Sequence, residues 1–445
     1  MNLRTAAVVG AAVGAFGVGS AFATFARVES MGKNTTYIMD DVSIFDNPAN
    51  ASLYSNYLIG GFGAFTDMNV EAGKNYDPKH PTFGGIFSVS FGGENNPDPK
   101  FTIGGLLGRT SELAKYLPSL VQVDDDSYAA VPETVTNFDG FLGGTFSSGD
   151  AWGLHLYIAH QDGGELDSAS NAYQVNSDAF ASIVQLDGGL NFQAGSGTSY
   201  EASLGIARIQ YGPEHHSFFD DGNFSFLAKA RAFFTLDAID GELIPAASAN
   251  FIAAPGLDDK SANVGIGVNL AMDRGFFWMG VDFVWNQLKS HDYVYDKAAK
   301  GWVYDARYDY EDDDDIVWDV RQDVGGKISF GIERNIWWDW FVIRVGGQKS
   351  ILYTSCDVKK GSHGVNPSSG EYPDNRYGKC KADGNFFSTN PLADGSSEDH
   401  VGFGFGINIE ERLKIDVTVA EDLLFRNPFQ GEGRIFSRLD ATYSF

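Results

Sequence analysis

The feature that most constrains this chain is an alternation of apolar and polar side chains with a period of two residues. Residues 399–410 illustrate it, since valine, phenylalanine and isoleucine recur at every second position with histidine, glycine and asparagine between them. Residues 260–272 and 223–237 repeat the pattern. Side chains of a strand point to opposite faces in turn, whereas a helical pattern would repeat about every 3.6 residues. The chain is therefore predicted to be all-β.

Sixteen segments carry this pattern, and many exceed the roughly five or six residues that are usual for strands of soluble sheets. Their length suits the ~9–11 residues with which a tilted strand crosses a bilayer. The predicted strands are 53–65, 82–92, 100–110, 136–147, 151–160, 180–194, 198–211, 223–237, 243–253, 260–272, 275–290, 316–333, 336–352, 399–410, 412–424 and 434–445. Together they predict a transmembrane antiparallel β-barrel.

The connections between these segments are of two kinds. Short turns fall near 148–150, 195–197, 273–274, 334–335 and 411–412, and long polar loops span 111–135, 161–179, 291–315 and 353–398. Outer-membrane barrels have short periplasmic turns and long extracellular loops, whereas a soluble β-sandwich has no reason to sort its loops in this way. Tryptophan and phenylalanine cluster beside the short turns, at 152, 276–278 and 337–340, as an interfacial girdle would require.

The two ends of the chain point to the same location. Residues 1–23 contain one positive charge, a short apolar stretch and an A-x-A cleavage site ending at Ala23, which predicts a secretory signal peptide. No later run of ~20 apolar residues predicts a transmembrane helix. The last strand ends in Phe445, with Tyr443 two positions earlier, and resembles the C-terminal signal of bacterial outer-membrane proteins. We therefore expect the mature chain in the bacterial outer membrane, in contact with its lipid.

Composition and motifs exclude several functions. A formal net charge of -27 argues against nucleic acid as a partner, because binding phosphates requires an excess of Lys and Arg. The sequence has no nucleophile elbow, no zinc-protease motif and no Cys-x-x-Cys, so we expect no enzyme, no cofactor and no metal site. The acidic run at 311–315 offers oxygen ligands to Ca²⁺ but lacks the spacing of a calcium loop. It is better interpreted as a solvated loop tip.

Residues 24–51 do not alternate like the rest and are predicted to form a separate N-terminal hatch. The barrel itself then occupies residues 52–445, including its long extracellular loops. Within the hatch, Arg27 lies shortly before Met31-Gly32, and an acidic pair follows at Asp40-Asp41.

The sharpest part of the hatch is Asn47-Pro48-Ala49, which lies just before the first predicted strand. With the preceding residues it resembles the long-chain fatty-acid transporter (FadL) family of outer-membrane barrels. That superfamily also includes PorV-type barrels of the type IX secretion system and aromatic-hydrocarbon transporters. The resemblance implies a plug at the periplasmic side that contains Asn47, Pro48 and Ala49. It also implies 14 strands rather than 16, so either a hairpin around 243–253 belongs to a loop or this chain has a different strand number.

Two functions follow from this resemblance. The first is passive uptake of hydrophobic or amphipathic, fatty-acid-like small molecules across the outer membrane. The alternative is an interaction or structural barrel of the PorV kind, which presents loops such as 353–398 to surface or secreted proteins. The sequence does not name the substrate.

Two sets of residues are candidate sites on the polar faces and in the loops. Arg231, Arg344 and Arg438 lie on polar strand faces, where charges must face the lumen because lipid would destabilise them. They predict either a cationic site for a carboxylate head group or ion pairs that fill the barrel. Cys356 and Cys380 lie in one long loop of an exported chain and are predicted to form a disulfide.

A third candidate is Gly104-Gly105, within the third predicted strand. Adjacent glycines are where a bend costs least, because glycine lacks Cβ and accepts unusual backbone angles. In the family that this chain resembles, a kink in the third strand opens the barrel wall beside the hatch. The resemblance therefore predicts broken strand pairing at Gly104-Gly105, with Asn47-Pro48-Ala49 against the gap and lateral exit of an apolar ligand.

Overall fold

A computed structural model describes most of the chain. The described residues are 24–38, 40–54, 56–62, 81–92, 99–117, 120–124, 127–132, 134–162, 180–195, 197–212, 224–255, 257–291, 293–296, 301–304, 318–359, 384–388, 400–410, 412–419 and 436–445. The predicted signal peptide, the acidic run 311–315 and Cys380 lie outside them.

The described part consists mainly of antiparallel strands. They are β1 Tyr57–Phe62, β2 Thr82–Ser90, β3 Lys100–Leu107, β4 Leu120–Asp124, β5 Ser127–Ala130, β6 Asn137–Thr145, β7 Ala151–Asp162, β8 Phe180–Gln193, β9 Thr198–Gly212, β10 Ser225–Leu236, β11 Gly241–Ala254, β12 Leu257–Met272, β13 Gly275–His291, β14 Tyr293–Asp296, β15 Gly301–Tyr304, β16 Trp318–Asn335, β17 Phe341–Lys359, β18 Gly384–Ser388, β19 His400–Ile409, β20 Leu413–Val419 and β21 Phe436–Ser444. Sixteen of them form a closed barrel, in which each strand pairs with the next along the chain and β21 pairs back with β1.

The strand number is therefore 16, as the alternation predicts, and not the 14 that the family resemblance implies. The doubtful segment 243–253 is β11, which is paired along its length with β10 and β12. Of the five remaining strands, β18 pairs with the last part of β17, after the part that pairs with β19. The other four, β4, β5, β14 and β15, form a small separate sheet. That sheet joins two long loops, because β15 pairs with β4. Both loops consequently lie at the same end of the barrel.

The two faces of the wall differ as the alternation requires. Leu204, Val264 and Phe283 project outward and are 71%, 61% and 56% exposed, whereas Asp187 and Asp282 are buried in the interior. Lipid solvates an apolar exterior and a closed wall leaves no unpaired backbone edge, so this chain is an outer-membrane β-barrel. Within the described residues, none of the helices is long and apolar enough to span a bilayer.

Residues 24–54 fold into the lumen, in the half of the barrel that lies next to the short turns. They form an α-helix, α1 Phe25–Ser30, and two 3₁₀ helices, η1 Asp41–Phe45 and η2 Pro48–Ser52. Polar side chains begin each helix, since Thr24, Asp40 and Asn47 accept hydrogen bonds from backbone N–H groups of the first turn. We call residues 24–54 the hatch.

The predicted break at Gly104-Gly105 is wrong. Pairing is continuous on both sides, because Gly105 faces Gly85 of β2 and Gly140 of β6, and Gly104 is paired on both sides as well. Gly105 has glycine partners on both sides and Gly104 has Ile86 and Phe141, so both glycines are accommodated within a regular ladder.

The hatch motif is also elsewhere than predicted. The Asn47 Nδ2 donates to the Leu190 carbonyl oxygen of β8 at 3.0 Å, and Pro48 lies against Gly153 of β7. Asn47, Pro48 and Ala49 therefore contact β7 and β8 rather than a gap beside β3.

The aromatic girdle is confirmed only in part. Trp337, Trp338 and Trp340 lie at the turn between β16 and β17 and are 73%, 54% and 45% exposed. Trp278, by contrast, is fully buried and contacts the hatch residue Tyr37 across 6.3 Å between ring centroids. Side chains alternate between the two faces along β13, and Trp278 occupies one of the positions that point into the lumen.

Candidate functional site

The hatch fits the lumen because the facing strand positions are glycines. The ring of Tyr37 lies against Gly265, Gly267 and Gly280, where a Cβ would overlap it. Met31 lies in the same way against Gly346 of β17. Glycine at these inward positions therefore forms a seat shaped to the hatch, which is a packing reason for the glycines in the alternating pattern.

Charged side chains also fix the hatch to the wall. Arg27 of α1 donates from Nε to Glu333 of β16 at 2.6 Å, and Arg344 of β17 donates to the same carboxylate at 2.5 Å. Arg344 also donates to Asp416 of β20 at 2.6 Å, and Asp416 accepts a hydrogen bond from Thr24. These alternating positive and negative side chains form a charge chain that includes residues of β16, β17 and β20. Both of its ends are hatch residues, Arg27 and Thr24.

Two hatch carboxylates are less well compensated. Asp40 lies 3.6 Å from the Arg27 guanidinium, and burial raises the pKa of Asp40 to about 6. Asp41 is buried, and neither of its oxygens has a hydrogen-bond partner among the residues that the structure describes. Burial, together with the adjacent Asp40, raises the pKa of Asp41 well above its ordinary value. Burial therefore makes the charged form of both carboxyl groups less favourable in the folded hatch than in water.

On the opposite side of the lumen, Arg231 of β10 holds the hatch by its backbone. Its guanidinium donates to Glu201 of β9 at 2.6 Å and to the carbonyl oxygens of Thr35, Thr36 and Ile38. Two positions earlier, Lys229 is paired with Asp46. Both cations point into the lumen and are already paired with carboxylates.

A second closure lies at the end of the barrel that carries the long loops. After β3 the chain turns inward and forms a 3₁₀ helix, η3 Glu112–Tyr116. Leu113, Tyr116 and Leu117 pack into an apolar cluster of the inner wall, and the Tyr116 hydroxyl donates to Asp259 of β12 at 2.6 Å. The wall residues of this cluster are Tyr157, Ala159, Ala181, Ile183, Ala207, Ile209, Tyr211, Ile252, Ala254, Leu257 and Leu288. We call residues 108–117 the cap.

Between the cap and the hatch lies a cavity of about 670 Å³. Lys33 and Asn47 line its hatch side and Glu112 its cap side. The wall contributes mostly polar side chains, namely Glu201, Ser203, Lys229, Arg231, Ser248, Asn250, Asp259, Ser261, Asn263, Asp282, Asn286, Lys327 and Gln348. The lumen thus contains two inward-folded segments, the hatch and the cap, with a polar chamber between them.

The chain matches neither a protein-family profile nor a curated protein sequence. Among solved structures it is similar to the Pseudomonas putida toluene transporter TodX, with 9% identity over 96% of this chain and 97% of that chain, at a TM-score of 0.31. A Pseudomonas aeruginosa FadL homologue is 12% identical over 96% of this chain and 99% of that chain, at a TM-score of 0.36. The siderophore receptor PirA of Acinetobacter baumannii is 8% identical over 88% of this chain and 80% of that chain, at a TM-score of 0.29. One of these names refers to toluene and another to a siderophore, so the similarity leaves the substrate open.

The three predicted arginines do not converge on one site. Arg231 lines the chamber, Arg344 lies in the charge chain with Arg27, and Arg438 of β21 is paired with Asp440 and stacks over Phe25 at 4.4 Å. The sequence predicted either a cationic site for a carboxylate head group or ion pairs that fill the barrel. All three arginines form ion pairs with carboxylates inside the barrel. Cys356 is disulfide-bonded and buried on β17, which extends farther than predicted, and Cys380 lies outside the described residues.

The cap was missed by the sequence analysis. Its residues 111–117 fall in the predicted polar loop 111–135, and only the spacing of Leu113, Tyr116 and Leu117 marks one apolar side. In the described part of the chain, no cluster of three or more histidine, cysteine or acidic residues has the arrangement of a metal site.

Proposed function

We propose that this protein is a passive outer-membrane channel for small amphipathic molecules. In this proposal a ligand enters from outside past the cap, occupies the chamber, and leaves after the hatch has shifted. The observation that carries the proposal is the chamber of about 670 Å³ that lies between the hatch and the cap. This volume falls within the usual range of small-molecule sites, and a barrel serving only as a scaffold has no need of such a space.

The distribution of polarity favours an amphipathic ligand over a purely apolar one. The wall around the cap is apolar, with Tyr157, Ile183 and Leu288 buried there, whereas the chamber below is lined by serine, asparagine and charged groups. An apolar ligand in the chamber would leave these polar groups without water or partners, which is costly. A molecule with an apolar part and a polar end matches both regions.

The domain division belongs to the same proposal. We propose the division predicted from the sequence, with residues 1–23 as the signal peptide, 24–51 as the plug segment and 52–445 as the barrel, while the hatch of the structure extends three residues farther, to Tyr54. The interaction alternative depends on the loop 353–398, of which 353–359 and 384–388 are described. None of these described positions favours a partner protein, so the channel is the function we propose.

Native mass spectrometry of the purified barrel tests the ligand class. The protein is incubated with a fatty acid, a fatty alcohol and an alkane of the same chain length. We expect the acid and the alcohol to remain bound and the alkane to be lost. Binding of the alkane alone, or of none of the three, would contradict an amphipathic ligand.

A further inference from the structure

Neutral polar side chains form one patch on three neighbouring strands of the chamber wall. They are amides and hydroxyls that line the chamber, namely Ser248 and Asn250 of β11, Ser261 and Asn263 of β12, and Asn286 of β13. They are contiguous, because the strand register pairs the two β11 residues with the two β12 residues and pairs Ser261 with Asn286. We call these five residues the amide patch.

Asn286 is the member of the patch that most lacks a partner. It is 7% exposed and lines the chamber, yet its side chain has no hydrogen bond with any residue that the structure describes. Burying an amide without a partner is costly. Because this amide borders the chamber, a bound molecule can supply the hydrogen bonds that the wall does not.

The other four residues are ordered by each other and keep spare hydrogen-bonding groups. Asn250 donates from Nδ2 to the Ser261 Oγ at 3.2 Å, and Asn263 donates from Nδ2 to the Ser248 Oγ at 3.4 Å. Each amide has a second N–H, and each serine has a hydroxyl proton. These four donors have no acceptor within the described part of the chain. All four residues are half-buried, so they are accessible from the chamber.

The charges around the patch favour a neutral ligand. Along β12 and β13 the nearest charged lining residues are carboxylates, Asp259 two positions before Ser261 and Asp282 four positions before Asn286. The cations of the lining lie outside the patch, on the hatch, the cap, β10 and β16, and are Lys33, Lys115, Lys229, Arg231 and Lys327. An anionic head group on the patch would therefore lie among neutral groups and carboxylates, which destabilise a charge taken out of water.

The spacing of the patch suits a small ring that carries several hydroxyl groups. Inward positions are roughly 7 Å apart along a strand and about 5 Å apart across a strand pair, so the patch covers about the area of one sugar ring. A hydroxyl both donates and accepts, and so matches amide N–H, amide oxygen and serine hydroxyl alike. A carboxylate only accepts, and would leave the Asn286 oxygen without a donor.

An apolar region begins one inward step beyond the patch. Ile252 follows Asn250 by two positions on β11, and Leu288 follows Asn286 by two positions on β13. Both belong to the apolar cluster beside the cap. The inner wall thus changes from hydrogen-bonding to apolar within a single step of two neighbouring residues on one face. A ligand with its polar head on the patch would place its apolar part toward the cap.

We propose that the amide patch binds a neutral, polyhydroxylated head group, as in an alkyl glycoside. Asn286 and the free N–H groups of Asn250 and Asn263 bind the hydroxyls of the ring, and the alkyl part points toward the cap. The inference rests on the proposed channel function and specifies the polar end of its ligand.

Calorimetric titration of the barrel in lipid nanodiscs tests the head group. The three probes are hexyl β-glucoside, 1-hexanol and hexanoate, each below its critical micelle concentration and near neutral pH. They share one alkyl chain, so a difference in affinity comes from the head group. We expect the glucoside to bind about tenfold or more tightly than either of the others, the gain from one or two hydrogen bonds. Equal affinities for all three would overturn the assignment.

Asn286→Leu tests the patch itself. It removes an amide that has no described protein partner, so the barrel should stay folded, while the affinity for hexyl β-glucoside falls about tenfold and that for 1-hexanol is unchanged. Gln287→Leu is the matched control on the same strand, because this side chain points to the other face of β13 and does not line the chamber. Equal glucoside affinity in the two variants would contradict the proposal.

Ser261→Ala is a smaller change that covers the case in which Asn286→Leu fails to fold. It removes a hydroxyl from the centre of the patch and should weaken glucoside binding about threefold or more. Unchanged binding in this variant would also count against the patch. Binding of 1-hexanol and hexanoate without preference for the glucoside would overturn the head group and leave the channel function intact. Binding of none of the three would overturn the channel function itself.

Discussion

At the scale of single residues, the interior depends on carboxylates that each serve two cations. Glu333 receives both Arg27 of the hatch and Arg344 of the wall, and all three side chains are largely buried. Taking such charges out of water is costly, and the cost is offset only while every member of the group is present.

Glu333→Gln should destabilise the hatch strongly, because it leaves two guanidinium groups sharing a neutral partner. Breaking a buried ion pair typically costs about 3–5 kcal/mol. Asp339→Asn removes the exposed pair with Arg274, whose side chains are 86% and 51% exposed, and should cost at most about 1 kcal/mol. Thermal unfolding of the two variants measures the difference, and equal midpoints would show that the charge chain adds nothing to stability.

The glycine seat makes a second prediction at this scale. A Cβ at Gly267 would overlap the Tyr37 ring, with Cε1 2.8 Å away, whereas the nearest atom at Gly326 is 3.8 Å away. Gly267→Ala should therefore displace Tyr37 and cost about 1–3 kcal/mol, while Gly326→Ala should be nearly neutral. Protease sensitivity of the hatch in both variants checks this, and an intact hatch in Gly267→Ala would exclude the seat.

At the scale of elements, the hatch should respond to pH through Asp40 and Asp41. A carboxyl group whose pKa is raised in the folded state stabilises that state while it is protonated. The contribution is complete below the ordinary value of 3.8 and is lost as the pH rises through about 6, the value for Asp40.

Asp41→Asn should therefore stabilise the hatch at neutral pH, since it removes a buried carboxylate for which the described residues supply no hydrogen bond. Exchange of the Ser43 and Asn47 amides, both bonded within the hatch, measures the effect. We expect slower exchange and a flatter pH profile than in the unaltered protein. Unchanged exchange at neutral pH would mean that Asp41 is stabilised by a partner after all.

The strands of the wall were easier to predict from the sequence than the segments that fold inside the barrel. All sixteen wall segments follow from alternation. Lipid on one side and a polar lumen on the other require apolar and polar side chains at alternate positions of every strand. The partners of the hatch do not follow in this way. Asn47-Pro48-Ala49 could be recognised as a local motif, but its contact with β7 and β8 depends on where Gly153 and Gly189 leave space.

The cap shows a second limit of sequence patterns. Its apolar side comprises Leu113, Tyr116 and Leu117, too few residues for a periodic signal within a long loop. Its burial comes from distant wall strands, as with Tyr116 and Asp259, which are far apart in sequence. Likewise, inward parity identified Arg231, Arg344 and Arg438 as lumen residues but not the different carboxylates that bind them.

At the scale of the whole molecule, the barrel is a wall of 16 strands with two inward-folded segments and a chamber between them. The hatch is fixed by charges on several strands, whereas the cap rests on apolar contacts, a few hydrogen bonds and the single ion pair described for it, between Arg109 and Asp139. The cap is therefore the closure that we expect to open more readily.

The proposed path through the chamber is tested most directly by the flux of an amphipathic molecule across vesicles that contain the barrel. Ser248→Trp fills the chamber from its lining, and Ala249→Trp adds the same bulk at an exposed position of the same strand that does not line the chamber. We expect the unaltered protein and Ala249→Trp to conduct equally and Ser248→Trp to lose about tenfold or more of the flux. Equal flux in Ser248→Trp and the unaltered protein, or no flux above that of empty vesicles in any of the three, would contradict a channel through the chamber.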